Sequence, residues 1–173
     1  MRTARETEGS GEAWLTRLID QHQSALLRMC FMYLHDRALA EDAVQETFLK
    51  AYRARDTFRR DCSEKTWLAR IAINACRDIR RAAWFRHTDR RVTPEDVPAQ
   101  SPPPQEDDAE ALALAIVRLP TKYREVILLY YYQDMTMKEV AASLGIAVSS
   151  VSGRLKRACA RLHEALEKEG AHG

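Results

Sequence analysis

The sequence lacks most of the features by which enzymes, metalloproteins and membrane proteins declare themselves. None of its 173 residues belong to an apolar run long enough to span a bilayer, and the opening MRTARETEGSGEAW is polar, without the apolar core of a signal peptide. The expected compartment is therefore the cytoplasm. The four cysteines, Cys30, Cys62, Cys76 and Cys159, are scattered with no C-x-x-C pair, which argues against a zinc knuckle and a disulfide framework and leaves reduced thiols as the simple reading. No glycine loop is present to cradle phosphates, nor paired carboxylates, nor a nucleophile with its base. An enzyme is disfavoured on that ground, and no cofactor is expected. Cys159 and His163 lie four apart, yet two residues on one basic helix make only half a metal site. Net charge is only +2, too small a sum to imply a nucleic-acid partner.

What the chain does have is helical periodicity and an uneven spread of charge. Residues 1–86 hold 16 basic and 12 acidic side chains, residues 87–110 hold 2 and 7, and residues 111–173 hold 9 and 6, so two mildly basic ends flank an acidic middle. That middle also carries five of the six prolines and no apolar period, and reads as an extended, flexible linker. The expected fold is all-α: two small helical domains, at 12–86 and 111–168, joined by the linker at 87–110 and preceded by a disordered segment at 1–11. In the first domain, Leu15, Leu18, Ile19, Leu26, Met29, Cys30 and Tyr33 repeat at helical spacing over 12–34. His22 falls on that stripe and reads as a packed histidine without assigned chemistry. A second helix, 38–55, buries Val44, Phe48, Ala51 and Tyr52 and turns Glu41, Asp42, Gln45 and Glu46 outward. From charge alone that acidic face is a solvated surface or a dock for a basic protein, and it would repel phosphate.

Residues 57–86 follow. Asp61 and Glu64 have capping-box spacing, which leaves residues 58–61 as a short basic loop before a helix. Along that helix Trp67, Arg70, Asn74, Arg77 and Arg81 share one stripe, a set able to stack on unpaired bases, read a base edge and hold phosphates. In the second domain, helices over 111–119 and 121–133, separated by Pro120, supply Leu112, Ile116, Leu119, Tyr123, Val126, Ile127, Leu129 and Tyr130 as core. Thr136 and Glu139 form a T-x-x-E capping box, Gly145 ends the helix that follows, and a last helix begins after Ile146 and Ala147. Ala147 is a poor N-cap, which leaves Ser149 or Ser150 to satisfy helix-start amides. Val151, Leu155, Ala158, Cys159, Leu162 and Leu166 mark its buried side, while Ser149, Ser150, Ser152, Gly153, Arg154, Lys156, Arg157 and Arg161 face outward. No acid occurs between Glu139 and Glu164. This is the make-up of a helix-turn-helix whose second helix enters a major groove.

The runs TFRRD…TWLARIAINACRD and LPTKYREVILLYY…MTMKEVAASLGIAVSSVSGRLKRA, in this order and joined by a proline-rich linker, resemble the extracytoplasmic-function (ECF) sigma factors of bacterial RNA polymerase. The resemblance implies a promoter-specificity subunit without catalytic activity, whose partners are core polymerase, through its beta-prime clamp helices and beta subunit, promoter DNA, and an anti-sigma factor that can tether it to a membrane. It implies that Glu41, Asp42, Gln45 and Glu46 dock on the polymerase. It assigns Phe58, Arg59, Arg60, Asp61, Arg70, Asn74, Arg77 and Arg81 to recognising and opening the −10 element, with Trp67 largely structural. The last helix is expected to read the −35 element, although Ser152 and Gly153 stand where family members often carry Lys or Arg and Ser. The other reading is a stand-alone helix-turn-helix regulator that binds duplex DNA without polymerase, which gives no role to the acidic face or the Trp67–Arg81 stripe.

Overall fold

The computed structural model describes residues 4–86 and 108–170, and every regular element among them is helical. Three helices build an N-terminal lobe: α1 (Ala4–Leu34), α2 (Arg37–Ala54) and α3 (Glu64–Arg86). Helix α1 starts earlier than its apolar period at 12–34 suggests. Gly11 is buried there, and a Cβ on it would meet the Tyr52 ring at 3.3 Å, so the missing side chain lets α1 lie against the end of α2. Asp36 caps α2 by accepting the amide of Leu39 at 2.9 Å. The buried face of α2 is Ala40, Ala43, Val44, Thr47, Phe48 and Ala51, and the Thr47 hydroxyl is satisfied by donating to the Ala43 carbonyl.

Helix α3 starts differently from its sequence pattern. Ser63 is the cap, its Oγ accepting the Thr66 amide at 3.1 Å, and the Asp61–Glu64 capping box does not form. Glu64 instead turns to Arg17 on α1, which donates to both carboxylate oxygens at 2.8 and 3.0 Å. A bidentate guanidinium outcompetes a single backbone amide for the same carboxylate.

The C-terminal lobe holds α4 (Asp108–Arg118), α5 (Thr121–Ile127), α6 (Met137–Leu144) and α7 (Val148–Gly170). The expected linker at 87–110 lies outside the described residues except for 108–110, which open α4. Pro120 separates α4 from α5, and its carbonyl accepts the first amides, from Tyr123 and Arg124. The helix predicted over 121–133 does not run through as one α-helix. It widens into a π turn over Leu128–Tyr132, closed by the Gln133 amide on the Leu128 carbonyl. Leu128 and Leu129 are thereby fully buried, while Tyr131 and Tyr132 reach the surface. The helix-turn-helix forms as its sequence dictates. Thr136 and Glu139 make both capping-box bonds, and Gly145 sits at φ 66, the left-handed conformation that closes α6. Val151, Leu155 and Ala158 bury α7; Cys159, expected on that stripe, is exposed, 3.8 Å from the Tyr131 hydroxyl.

The lobes share one continuous apolar cluster, and two adjacent charged residues of α5 sit where they meet. Arg124 is 1% exposed; its guanidinium donates to the carbonyls of Ile116, Val117 and Leu119 at the end of α4, and across the interface to the carbonyl of Tyr33 at 2.7 Å. One cation thus caps the C-terminal carbonyls of two helices, one from each lobe. Burial, with the nearby Arg80 charge, pulls its pKa down to about 10, which leaves it cationic at neutral pH. Glu125, 2% exposed, accepts two hydrogen bonds from Arg77 of α3, each 2.7 Å, and one from the Tyr33 hydroxyl at 2.9 Å. That carboxylate raises the Arg77 pKa further, and burial beside Glu125 holds the Tyr33 hydroxyl protonated as a donor. Replacing Arg124 by Met leaves its carbonyl acceptors without a donor, and unsatisfied buried groups cost about 1–3 kcal/mol each. Urea unfolding is expected to show a loss of about 3 kcal/mol or more, against less than about 0.5 kcal/mol for Arg157→Met on the exposed face of α7.

Candidate nucleic-acid and protein-docking surfaces

Three surfaces carry the residues singled out by the sequence. The first is the outer face of α7. Ser149, Ser150, Ser152, Lys156, Arg157 and Arg161 are exposed there, with Gly153 and Arg154 half-buried beside them. The helix start is held by the Ala147 carbonyl, which accepts the amides of Ser150 and Val151. Arg161 lies back over the Tyr123 ring, 5.1 Å from its centroid, so it is braced on its own lobe. A Cβ on Gly153 would meet nothing within 4 Å, which shows that protein packing does not demand glycine at this position.

The second surface is the loop before α3. Phe58 stacks on Trp67 with centroids 4.4 Å apart and planes 22° apart, and Trp67 in turn packs against Trp14 and the apolar cluster. Arg60 takes a positive φ of 56, turning the loop back toward α3. The result is an open cleft of about 340 Å³ lined by Arg17, Phe58, Arg60, Cys62 and Glu64. Arg59, Arg60 and Asp61 are exposed at its approach. Burial, with the Asp61 carboxylate nearby, pushes the Cys62 thiol up, so it remains a neutral thiol and a poor nucleophile. Arg17 and Glu64 were not anticipated as cleft walls. Arg17 lies on a helix distant in sequence, and Glu64 carries the pattern of a helix cap, so neither signals this role.

The stripe along α3 divides. Arg70, Asn74 and Arg81 are exposed, Arg70 while also donating to the Ala142 carbonyl of α6 at 2.9 Å, and half-buried Arg77 grips Glu125 of α5. Arg80, one turn from Arg77 on the interface side, donates to the Thr121 hydroxyl. The structure therefore gathers Phe58 and Arg60 at the cleft, commits Arg77 to the other lobe and leaves Arg70 at the surface with one bond to that lobe.

The third surface is the outer face of α2. Glu41, Asp42 and Gln45 are exposed and Glu46 is half-buried. Arg37 pairs with Glu41 at 3.0 Å, and Lys50 lies 3.5 Å from Glu46 and 3.9 Å from Asp78. Leu49 is 49% exposed on this face, a leucine in the row 42, 45, 46, 49 of an otherwise polar stripe. That misfit at helical spacing is the signal by which the sequence could have identified it. Among the described residues no cluster of three or more His, Cys, Asp or Glu could hold a metal ion, and no helix is long and apolar enough to cross a membrane.

A helix-turn-helix lobe packed on a three-helix lobe with an aromatic and basic loop defines a two-lobed protein of the sigma-70 class. The family description "Sigma-70 region 2" matches residues 18–86, and "Sigma-70, region 4" matches residues 109–162. The chain belongs to the ECF sigma factors of bacterial RNA polymerase. The ECF sigma factor SigL of Mycobacterium tuberculosis is 34% identical over 169 residues, which cover 93% of this chain and 94% of SigL. CnrH of Cupriavidus metallidurans is 33% identical over 165 residues, covering 88% of this chain and 86% of CnrH. Among solved structures, CnrH in complex with the cytosolic domain of CnrY matches with a TM-score of 0.68 at 30% identity, covering 91% of this chain and 90% of that one. RpoE in complex with the anti-sigma factor NepR from Bartonella quintana matches with a TM-score of 0.70 at 25% identity, covering 88% of this chain and 96% of that one.

The Arg17–Glu64 pair that walls the cleft gives a pH dependence with a definite sign. The Arg17 hydrogen bond lowers the Glu64 pKa, so the pair stabilises the fold above the unfolded carboxyl pKa of about 4.3 and is lost as pH falls through the lower folded value. Both side chains are partly exposed, so the contribution is below about 1 kcal/mol. The stability gap between the native chain and Arg17→Gln, measured by urea unfolding, is expected at neutral pH and should vanish once Glu64 is protonated.

Proposed function

We propose that this chain binds core RNA polymerase and directs transcription initiation by recognising −35 and −10 promoter elements and opening the −10 duplex, with no catalytic chemistry of its own. The observation that carries this reading is that an acidic helix with an exposed leucine, an aromatic and basic cleft, and a helix-turn-helix occur on one chain. A duplex-binding regulator needs only the last of these. In this reading Glu41, Asp42, Gln45 and Glu46 dock on the beta-prime clamp helices, with Leu49 as the apolar anchor inside a charged rim. The cleft beside Phe58 takes a base extruded from the −10 element. Extrusion costs a few kcal/mol of stacking and pairing, and aromatic and polar contacts in a cleft of this kind offset it. Arg59, Arg60, Asp61, Asn74 and Arg81 form its approach and hold the adjoining strand. Ser149, Ser150, Ser152 and Gly153 enter the −35 major groove, and Arg154, Lys156, Arg157 and Arg161 anchor phosphates.

CnrH is solved with the cytosolic domain of CnrY and RpoE with the anti-sigma factor NepR, and an anti-sigma factor is the corresponding partner here. The protein works in the cytoplasm, where polymerase and promoter are.

With core polymerase supplied, the purified chain is expected to start transcripts at defined sites and to start none without core. Reversing charge with Asp42→Lys and Glu46→Lys should weaken core binding at least about tenfold, since like charges across an interface cost several kcal/mol, and leave duplex −35 binding unchanged. An unaltered core affinity removes α2 from the interface.

Gly153 supplies a second check. Alanine there should raise helix stability by about 0.5–1 kcal/mol, because glycine is a poor helix former and the space beside it is open. If DNA approaches the helix at that point, the same variant binds −35 duplex more weakly while becoming harder to unfold.

A further inference from the structure

Phe85, in the last turn of α3, belongs to none of the three surfaces described above. It is 70% exposed, more than any other large apolar side chain among the described residues. Half-buried Trp84 meets its ring edge-on, with centroids 5.0 Å apart and planes 78° apart, so the phenyl is braced from one side while most of it stays in water. A lone exposed phenylalanine is ordinary on a protein surface. The register of this one on α3, and the side chains around it, are not.

Phe85 lies about five full helical turns beyond Trp67, so the two share one face of α3, and Phe58 stacks on Trp67 at the cleft. Between them on this face are Asn74 and Arg81, both exposed, and Arg86 is exposed beside the ring. The one acid of the face, Asp78, has Lys50 of α2 3.9 Å away. Arg77 and Arg80 are directed to Glu125 and Thr121 of the other lobe, so the guanidiniums that face solvent near Phe85 are those of Arg81 and Arg86. The face thus carries an aromatic at each end, about 27 Å apart at 1.5 Å per residue, with an amide and a cation between. That span is about eight steps at the 3.4 Å rise of a strand in duplex form, and fewer for a strand drawn out.

We infer that Phe85 is a second stacking platform, which takes an unpaired base of the opened strand at the end of α3 remote from the cleft, with Arg81 and Arg86 on the adjoining phosphates. The inference rests on the proposed function, because it takes the outer face of α3 as a strand-binding face. A single strand fits this patch better than the alternatives. An intact duplex hides its base faces in its own stack, so an isolated ring finds a partner only where the strands have separated. An apolar protein surface would take guanidiniums out of water beside the ring without supplying acceptors, whereas phosphates supply them. The consequence is a grip at two points. One base is held in the cleft and another on Phe85, and the length of α3 sets how much strand between them is kept from pairing again.

The test uses the full chain and a fluorescein-labelled single strand of mixed sequence, about twelve nucleotides long so that it spans the face. Phe85→Ala is expected to weaken binding about fivefold or more at unchanged helical circular dichroism, the usual effect of deleting one base–aromatic stack. Phe85→Tyr keeps a ring and should bind as the native chain does. Phe85→Leu keeps apolar bulk without a ring and should be as weak as Phe85→Ala. Affinity for an intact duplex of the same sequence should not change in any of them. No measurable single-strand binding by the native chain, native affinity in Phe85→Ala, or full recovery in Phe85→Leu overturns the platform, the last by showing an apolar contact of the kind a protein partner makes. If Phe85→Ala loses helical signal, Phe85→Leu against Phe85→Tyr decides: weaker binding by the leucine variant supports stacking, and equal binding overturns it. Failure to start transcripts with core, alongside a ring-dependent loss of strand affinity, would remove the promoter reading and leave the platform standing. Transcripts with no ring-dependent loss would remove the platform alone.

Discussion

A buried pair of opposite charges on one short helix governs how this molecule is put together. Arg124 and Glu125 are adjacent on α5, and both point into the seam between the lobes. Arg124 gathers the terminal carbonyls of α4 and the last turn of α1, while Glu125 gathers Arg77 and Tyr33. Neither charge is left without partners, which is the condition on which ions are tolerated inside a protein. Directional bonds also do what apolar packing does poorly, since they fix one orientation of the lobes among many of similar burial.

That seam divides the candidate surfaces between those that face solvent and those that meet the other lobe. The acidic face of α2 and the outer face of α7 point away from it. The cleft at Phe58 opens beside it, walled by Arg17 and Glu64 from the N-terminal lobe alone. Arg77 lies within it, and Arg70 at its exposed edge. A single helix, α3, thus serves as core on its Leu68, Ala72 and Cys76 side and as partner to the C-terminal lobe through Arg70 and Arg77.

Local signals in the sequence were enough for much of this. The capping box at Thr136 and Glu139 and the left-handed Gly145 formed as their residue types require, because both are decided within one turn of chain. The outward acids of α2 followed from helical spacing for the same reason. What escaped notice depends on residues far apart in the chain. Asp61 and Glu64 have the spacing of a capping box, but Arg17, on another helix, claimed Glu64 and left Ser63 as the cap. Arg124 and Glu125 sit in TKYREVILL as charged residues beside a turn, where solvent is the ordinary expectation; only the lobe contact explains their burial. Gly11 reads in the sequence as loose terminus, and only the distant Tyr52 ring packed against it accounts for a glycine there. Helix α7 was legible as the second helix of a helix-turn-helix but not as a sequence preference, because Ser152 and Gly153 supply little beyond small size and open space.

The central claim is that the buried Arg124–Glu125 pair fixes the orientation of the two lobes. Single-molecule energy transfer between dyes on the exposed faces of α2 and α7 measures this directly, compared between the native chain and Glu125→Gln, which keeps the side chain's shape and removes the charge that Arg77 grips. The account predicts a short, narrowly distributed separation in the native chain and a broader one in the variant at unchanged helical circular dichroism. A separation as short and narrow in the variant as in the native chain would contradict it.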